Sequence, residues 1–276
     1  VRLRFQRHGF TWLNWPLLWL RVVAKRKQPT GVHAVQEAVL DASGFAYGDQ
    51  LGVRRAVTTA RDVVRRRRRG AKVVFLPQAF GPFTGRSIRD AVRTMVSNAD
   101  LVYARDSMSH QNICDVVGMQ SHVRLAPDIT SLVDGVECRQ YCRLRGCVCL
   151  IPNYMMVGHA GRSGRGSGRE QYIGFMTMCA RRARDQGFRV FLLVHGGARD
   201  ARLADDIARF LGGSVEVVEE QDPTRLKGIL KTCHAVIASR YHGLVSALSE
   251  GVPVLATSWS HKYVGLLQDY GCEEAL

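Results

Sequence analysis

From Val39 onward, short apolar runs alternate with longer stretches in which apolar positions recur every three or four residues. That alternation predicts βαβ units, strands of a parallel sheet joined by covering helices. Strands are expected at Ala38–Ala42, Lys72–Leu76, Leu101–Ala104 and Val123–Ala126, with helices over Gln50–Arg69, Ser87–Asn98 and Met108–Val117. Pro127 and Asp128 close this series, and Val133–Gly146, polar and without period, reads as a linker. A second series opens at Cys147–Ile151 and runs through Arg189–Val194, Val215–Val218, Ala235–Ala238 and Val254–Thr257 to a last helix over His261–Tyr270. The expected architecture is α/β, with Rossmann-like domains over residues 1–134 and 135–276 and a cleft between them. Ligands of open parallel sheets sit at strand carboxyl ends, so residues just after strands are where chemistry is expected.

Composition narrows the field. A chain of 276 residues that is 46% apolar and 23% charged builds a sizeable core, which excludes disordered, collagen-like and small disulfide-stapled classes. Its 39 basic side chains, 33 of them arginine, against 24 acidic ones give a net charge of +15. Arginine favours two-pronged recognition of carboxylate and phosphate, so an anionic small substrate, nucleic acid and anionic lipid all remain open on charge alone. No apolar run reaches the ~18 residues of a membrane span. Phe10–Ala24 comes nearest, and Trp12, Trp15 and Trp19 within it suit either peripheral contact with a membrane surface or a helix packed on its own domain. Eight irregularly spaced cysteines without a signal-peptide pattern suggest reduced thiols in a cytoplasmic protein, at most peripheral at the inner face of the membrane. Cys138, Cys142, Cys147 and Cys149 lack the paired spacing of structural zinc sites, so no metal is expected. Arg65–Arg69 reads as a solvated helix end capped by Gly70, and with no stacking or finger motif beside it no nucleic-acid partner is expected. Gly158–Gly168 is a glycine- and arginine-rich loop.

The densest chemistry follows the strand ending at Ala238. Arg240 and His242, two residues apart, would share a face if the strand ran on through them. A guanidinium beside an imidazole can hold an anion next to a proton donor that titrates near neutrality, which suits general acid–base work. His195, followed by Gly196 and Gly197 between a strand and a helix, occupies a position where backbone amides meet an anion, although the glycines equally permit a tight turn. Asp49 and Asp128 also follow strands, where they could bind sugar hydroxyls or cap turns.

The segment SRYHGLVSALSEGVPVLATSWSHKYVGLLQDYG, residues 239–271, resembles the C-terminal motif of the polysaccharide pyruvyl transferases. VLDASGFAYGDQLG (39–52), LPQAFGPF (76–83), ADLVYARDSMS (99–109), RLAPD (124–128) and IPNYMM (151–156) resemble that family's motifs in the same order. The resemblance implies a GT-B-like fold and transfer of the enolpyruvyl unit of phosphoenolpyruvate onto two hydroxyls of a sugar, forming a cyclic ketal and releasing phosphate. It implies His242 as catalytic acid and Arg105, Arg240, Lys262 and His195 on the donor side, with phosphoenolpyruvate as co-substrate and no cofactor. The acceptor would be a cell-surface glycan or its lipid-linked precursor, with Asp49 and Asp128 as candidate acceptor contacts. Nothing before Val39 matches the family's opening strand and glycine-rich loop, so the N-terminal domain is expected to be incomplete. Two rivals stay open. A nucleotide-sugar glycosyltransferase of the same architecture would need an acidic residue for the donor ribose, for which Glu250 is the convenient candidate. A non-enzymatic basic module for anionic lipid or nucleic acid would depend on the arginine run and weaken steeply with salt.

Overall fold

A computed structural model describes residues 18–20, 38–160, 168–258 and 262–276. The chain divides into two compact units, residues 1–129 and 130–276. The first contains β1 (Leu18–Leu20), β2 (Ala38–Ala42), β3 (Phe45–Tyr47), α1 (Val53–Arg68), β4 (Lys72–Phe80), α2 (Arg86–Ser97), β5 (Leu101–Ala104), α3 (Ser107–Val117) and β6 (Val123–Leu125). Strands β2, β4, β5 and β6 are parallel neighbours in that order, and β1 joins the edge antiparallel to β2. Leu18–Leu20, with Trp19 at its centre, is therefore a strand rather than part of the expected helix, and residues 10–17 and 21–24 lie outside the described residues. Val73, Phe75, Val102 and Ala104 meet Ala60 and Val63 of α1 and Val92 and Met95 of α2 in one core.

Three local departures have physical causes. Helix α1 starts at Val53 and not Gln50, because Gly52 at φ +77° separates it from a short 3-10 turn, Asp49–Leu51. Strand β4 was expected to stop at Leu76. It continues to Phe80 through an irregularity, in which three steps of β4 (Phe75 to Gln78) oppose two of β5 (Val102 to Ala104), and Pro77 sits inside it. Strand β3, too short to show a pattern, pairs with the extension thus created.

The second unit contains β7 (Val148–Ile151), α4 (Met155–Ala160), α5 (Gly168–Asp185), β8 (Val190–Val194), α6 (Ala198–Phe210), β9 (Glu216–Glu219), α7 (Pro223–Lys231), β10 (Ala235–Ala238), α8 (Tyr241–Ser249), β11 (Val254–Ala256) and α9 (Lys262–Asp269). Its sheet is wholly parallel in the order β11-β10-β7-β8-β9. Both faces are covered, as the alternation along each strand requires. Val148, Leu150 and Leu192 pack with Met176 of α5 and Leu203 of α6, whereas Cys149, Ile151 and Phe191 pack with Leu230 of α7, Leu244 of α8 and Leu266 of α9. The order reverses between β7 and β10, and in such sheets that reversal opens a crevice at the strand carboxyl ends.

The expected linker is instead a strap fastened to this unit. Lys227 of α7 is 4% exposed and donates to the Thr130 and Val133 carbonyls. Glu250 accepts from the Gly135 amide at 2.6 Å and pairs with Lys231 at 3.1 Å. Gly228 is indispensable to the seam, since a Cβ there would stand 2.0 Å from the Val136 carbonyl oxygen. A 3-10 helix, Arg139–Leu144, then buries Leu144 in the core. Local polarity hid this docking because its partners lie about a hundred residues away.

Candidate functional site

At the β7/β10 switch point a buried polar network fixes the backbone. Ser239, directly after β10, is fully buried. Its carbonyl accepts from Asn153 Nδ2 at 2.8 Å and from the Tyr263 hydroxyl at 2.9 Å. Tyr172 of α5 donates to Ser239 Oγ and accepts from the Asn153 amide at 3.1 Å, and Ser239 Oγ shares a further hydrogen bond with Thr257. Burial pushes the Tyr172 phenol up to about 12, so it stays a neutral donor. The ends of β7, β10 and β11 are thus tied to α5 and α9 at one serine, and the turn carrying Arg240 and His242 is held rigid.

Those two residues are not on a common strand face. Strand β10 stops at Ala238, Arg240 is the N-cap residue of α8, and His242 lies in that helix's first turn. They converge for another reason. Asp200, 1% exposed in the first turn of α6, receives Arg240 Nε at 2.6 Å and a second guanidinium nitrogen, and also accepts from the Tyr154 amide at 3.0 Å. Gly196 makes this possible. A Cβ there would fall 2.2 Å from Asp200 Oδ2 and 2.5 Å from Arg240, so the glycine serves close packing rather than merely a turn. Gly243 does likewise for Ile151, because a Cβ there would lie 2.8 Å from Ile151 Cδ1, whereas the 3.6 Å to His195 Cδ2 is an ordinary contact. The Tyr241 ring stands edge-on to His242 at 5.4 Å, and Lys262 Nζ lies 5.2 Å from the Tyr241 centroid and 5.6 Å from that of Tyr263. Aromatic faces hold the ammonium at the start of α9.

His195 is 8% exposed, and burial first, then the neighbouring His242 and Arg240, lower its pKa to about 3. It is a neutral imidazole at any working pH and contributes hydrogen bonds rather than charge. Between its ordinary value near ~6.5 and about 3 the unfolded chain binds the proton and the folded one does not, so stability falls as pH drops through that window. This single group supplies a slope of ~1.4 kcal/mol per pH unit there. Urea unfolding of His195→Asn across pH 4 to 6 (~1 unit either side of pH 5) should show a slope shallower than wild type by about that amount.

In the first unit the expected site residues are engaged internally. Arg105 is 3% exposed and its Nη1 lies 3.2 Å from Asp128 Oδ2, so a donor contact and an acceptor contact suggested by sequence are partners of one another. Asp49 accepts the Thr84 amide with both carboxylate oxygens, at 2.9 and 3.2 Å, the turn-capping alternative. Asp41, unremarked in sequence, is 1% exposed, accepts from the Tyr47 hydroxyl at 2.5 Å and from the Ser43 amide at 2.9 Å, and has its pKa raised by burial. Asp200 and Tyr172 also escaped sequence reading, while Asn153 and Ser239 stood inside the motifs 151–156 and 239–271 without an assigned role. Asp200 carried a faint signal, an acid three residues beyond a strand-end Gly-Gly pair. Among the described residues no cluster of three or more His, Cys, Asp or Glu is placed to hold a metal ion.

A sequence model of the family described as polysaccharide pyruvyl transferase matches residues 23–261. No curated protein matches the chain. Among solved structures, a protein assigned as a UDP-N-acetylglucosamine 2-epimerase from Listeria monocytogenes is similar with a TM-score of 0.55 at 13% identity, over 84% of this chain and 64% of that one. The Neisseria meningitidis UDP-GlcNAc 2-epimerase bound to UDP-GlcNAc gives 0.49 at 14% identity, over 75% and 58%. Anabaena Alr3699/HepE in complex with UDP-glucose gives 0.44 at 14% identity, over 73% and 57%. The chain thus spans less than two thirds of the length of these proteins, and the likeness to the first shows the fold, α/β with parallel sheets of the Rossmann-like, GT-B type.

Proposed function

This chain belongs to the polysaccharide pyruvyl transferase family, and on that premise we propose that it moves the pyruvyl group of phosphoenolpyruvate onto two hydroxyls of a sugar in a cell-surface polysaccharide or its lipid-linked precursor. The observation that carries the reading is the convergence of Arg240 and His242 on His195 at the switch point of the second unit, with Lys262 held against the rings of Tyr241 and Tyr263 at the start of α9. Phosphoenolpyruvate has a phosphate and a carboxylate on one carbon, and a guanidinium and an ammonium near a single imidazole suit both anions. In the proposed reaction the His242 imidazolium protonates the methylene carbon, turning it into a methyl group and leaving C2 cationic. One sugar hydroxyl adds to C2 and returns its proton to His242. The C2–O bond to phosphate then breaks, phosphate leaves with the electron pair, and the second hydroxyl closes the ketal, its proton passing to the departing phosphate. Arg240 and Lys262 stabilise the departing phosphate electrostatically, while His195 donates or accepts a hydrogen bond as a neutral ring. Work on a lipid-linked acceptor would place the protein in the cytoplasm against the inner membrane face.

The glycosyltransferase rival loses its ribose ligand, since the Glu250 side chain is 6% exposed and bound to Lys231 and the Gly135 amide. Incubating the protein with phosphoenolpyruvate and candidate glycans tests the reading. Release of inorganic phosphate should require the glycan and match, one for one, a pyruvate ketal on the sugar by mass spectrometry. Glycan-independent phosphate release, or none with any acceptor, overturns it.

A further inference from the structure

The reaction above uses few of the chain's cations, and another concentration of them lies on the first unit. Helices α1 and α2 enclose a groove of about 860 Å³ with an aliphatic floor, where Val57 and Val64 are half-buried and Ala91 is buried. Arg61, Arg65, Arg68 and Arg69 stand along one wall, all of them exposed. Steps of four and three residues put Arg61, Arg65 and Arg68 on one helical stripe roughly 10 Å long. The acids nearby are already taken. Arg66 pairs with Asp62 at 2.5 Å and Arg67 with Asp100 at 2.7 Å, while Arg65 shares Asp62. Among the described residues Arg61, Arg68 and Arg69 form no ion pair, and Asp90, the acid lining the groove, pairs with Arg93 at 2.8 Å.

Stabilisation of a helix end accounts for only part of this stripe. Cations in a last turn offset the negative end of the helix dipole, and Arg65 and Arg68 sit there, but the effect fades within that turn and Arg61 precedes it. Cations three and four residues apart repel one another, a cost that a bound anion reverses. The groove also stands apart from the chemistry. Arg67 meets Asp100, the residue before β5, so the end of α1 lies at the amino ends of the strands, opposite the carboxyl ends where ligands of such sheets react. The lining selects the kind of anion. Guanidinium groups bind phosphate in two-pronged fashion, and the aliphatic floor beside them suits a hydrocarbon segment. A nucleic acid would call for rings on which bases stack, and among the described residues no aromatic side chain lines the groove.

We propose that this groove is a docking site for anionic phospholipid, with headgroup phosphates against Arg61, Arg65, Arg68 and Arg69 and the first acyl carbons over Val57 and Val64, so that the first unit seats on an anionic bilayer. The inference rests on the pyruvyl-transfer reading for its purpose, access to a lipid-linked acceptor, whereas the binding itself does not depend on that reaction.

Flotation of the whole chain with lipid vesicles at ~0.1 M salt, where charges beyond ~10 Å are screened, tests it. The protein should float with equimolar phosphatidylglycerol and phosphatidylcholine but not with phosphatidylcholine alone. Arg61→Gln/Arg68→Gln should bind the mixed vesicles about thirtyfold more weakly, since each cation near an anionic surface contributes about fivefold. Arg181→Gln/Arg182→Gln removes the same charge from exposed positions of α5 and should stay within about twofold of wild type. Circular dichroism of both variants should match wild type, because all four side chains are exposed. Unchanged vesicle binding in Arg61→Gln/Arg68→Gln, equal losses in the two variants, or equal flotation with pure phosphatidylcholine overturns the proposal. So does a loss of affinity for a single-stranded oligonucleotide in Arg61→Gln/Arg68→Gln with none for vesicles, which would make the groove a nucleic-acid site. Failure of the transferase reading looks different: flotation would stay dependent on Arg61 and Arg68 while phosphoenolpyruvate released no phosphate with any glycan.

Discussion

Replacing His242 with alanine is expected to lower ketal formation by ~10²- to 10⁴-fold, the usual contribution of a positioned general acid. Donor affinity should change little. The anionic groups of phosphoenolpyruvate are assigned to Arg240, which Asp200 holds, and to Lys262, which rests against Tyr241 and Tyr263, and neither anchor is built from the imidazole. Stopped assays of phosphate release give the rate, and calorimetry with phosphoenolpyruvate gives Kd. A normal rate in His242→Ala removes the acid assignment. The neighbouring imidazole is no substitute, because His195, its pKa lowered to about 3, is a neutral ring near neutral pH and has no acidic imidazolium proton to give. Asp128, a carboxylate that sequence offered as an acceptor contact, could not take over either without leaving its pair with Arg105, against which it is 7% exposed.

Much of the fold was legible because parallel sheets covered on both faces write themselves as apolar runs. Val148–Ile151, Val190–Val194 and Ala235–Ala238 lie within a residue of their expected ends for that reason. What stayed hidden depends on partners remote in sequence. Nothing local in Val133–Gly146 announces that Lys227 and Glu250 will hold it. The irregularity at Pro77 could not be told from a strand end without the neighbouring β5 register. At the site, the motif around Arg240 and His242 was visible, but the reason first given for their meeting was wrong. A shared strand face does not bring them together. A helix N-terminus, two glycines that admit close approach and a buried acid forty residues upstream do.

That acid supports the second large expected effect. Asp200→Ala should raise the KM for phosphoenolpyruvate at least ~tenfold, comparable to Arg240→Ala, although Asp200 is itself an anion and would repel the donor if it touched it. The carboxylate instead holds Nε and one terminal nitrogen of Arg240 and anchors the Tyr154 amide. With two of its nitrogens held, the guanidinium keeps one orientation rather than sampling many rotamers. Removing one member of a buried ion pair costs ~3–5 kcal/mol, and the cost here should fall below that range because the Arg240 side chain is 31% exposed and solvent can take up part of its charge. The double variant Asp200→Ala/Arg240→Ala separates the two consequences. It should regain part of the stability lost in Asp200→Ala, since no unpaired cation remains, yet regain none of the donor affinity. Gly196→Ala should mimic Asp200→Ala without altering any charge, because the added methyl group occupies the space where Asp200 and Arg240 meet. Should Asp200→Ala leave the KM within twofold of wild type, Arg240 is oriented by something else, and the ion pair is an element of the fold alone.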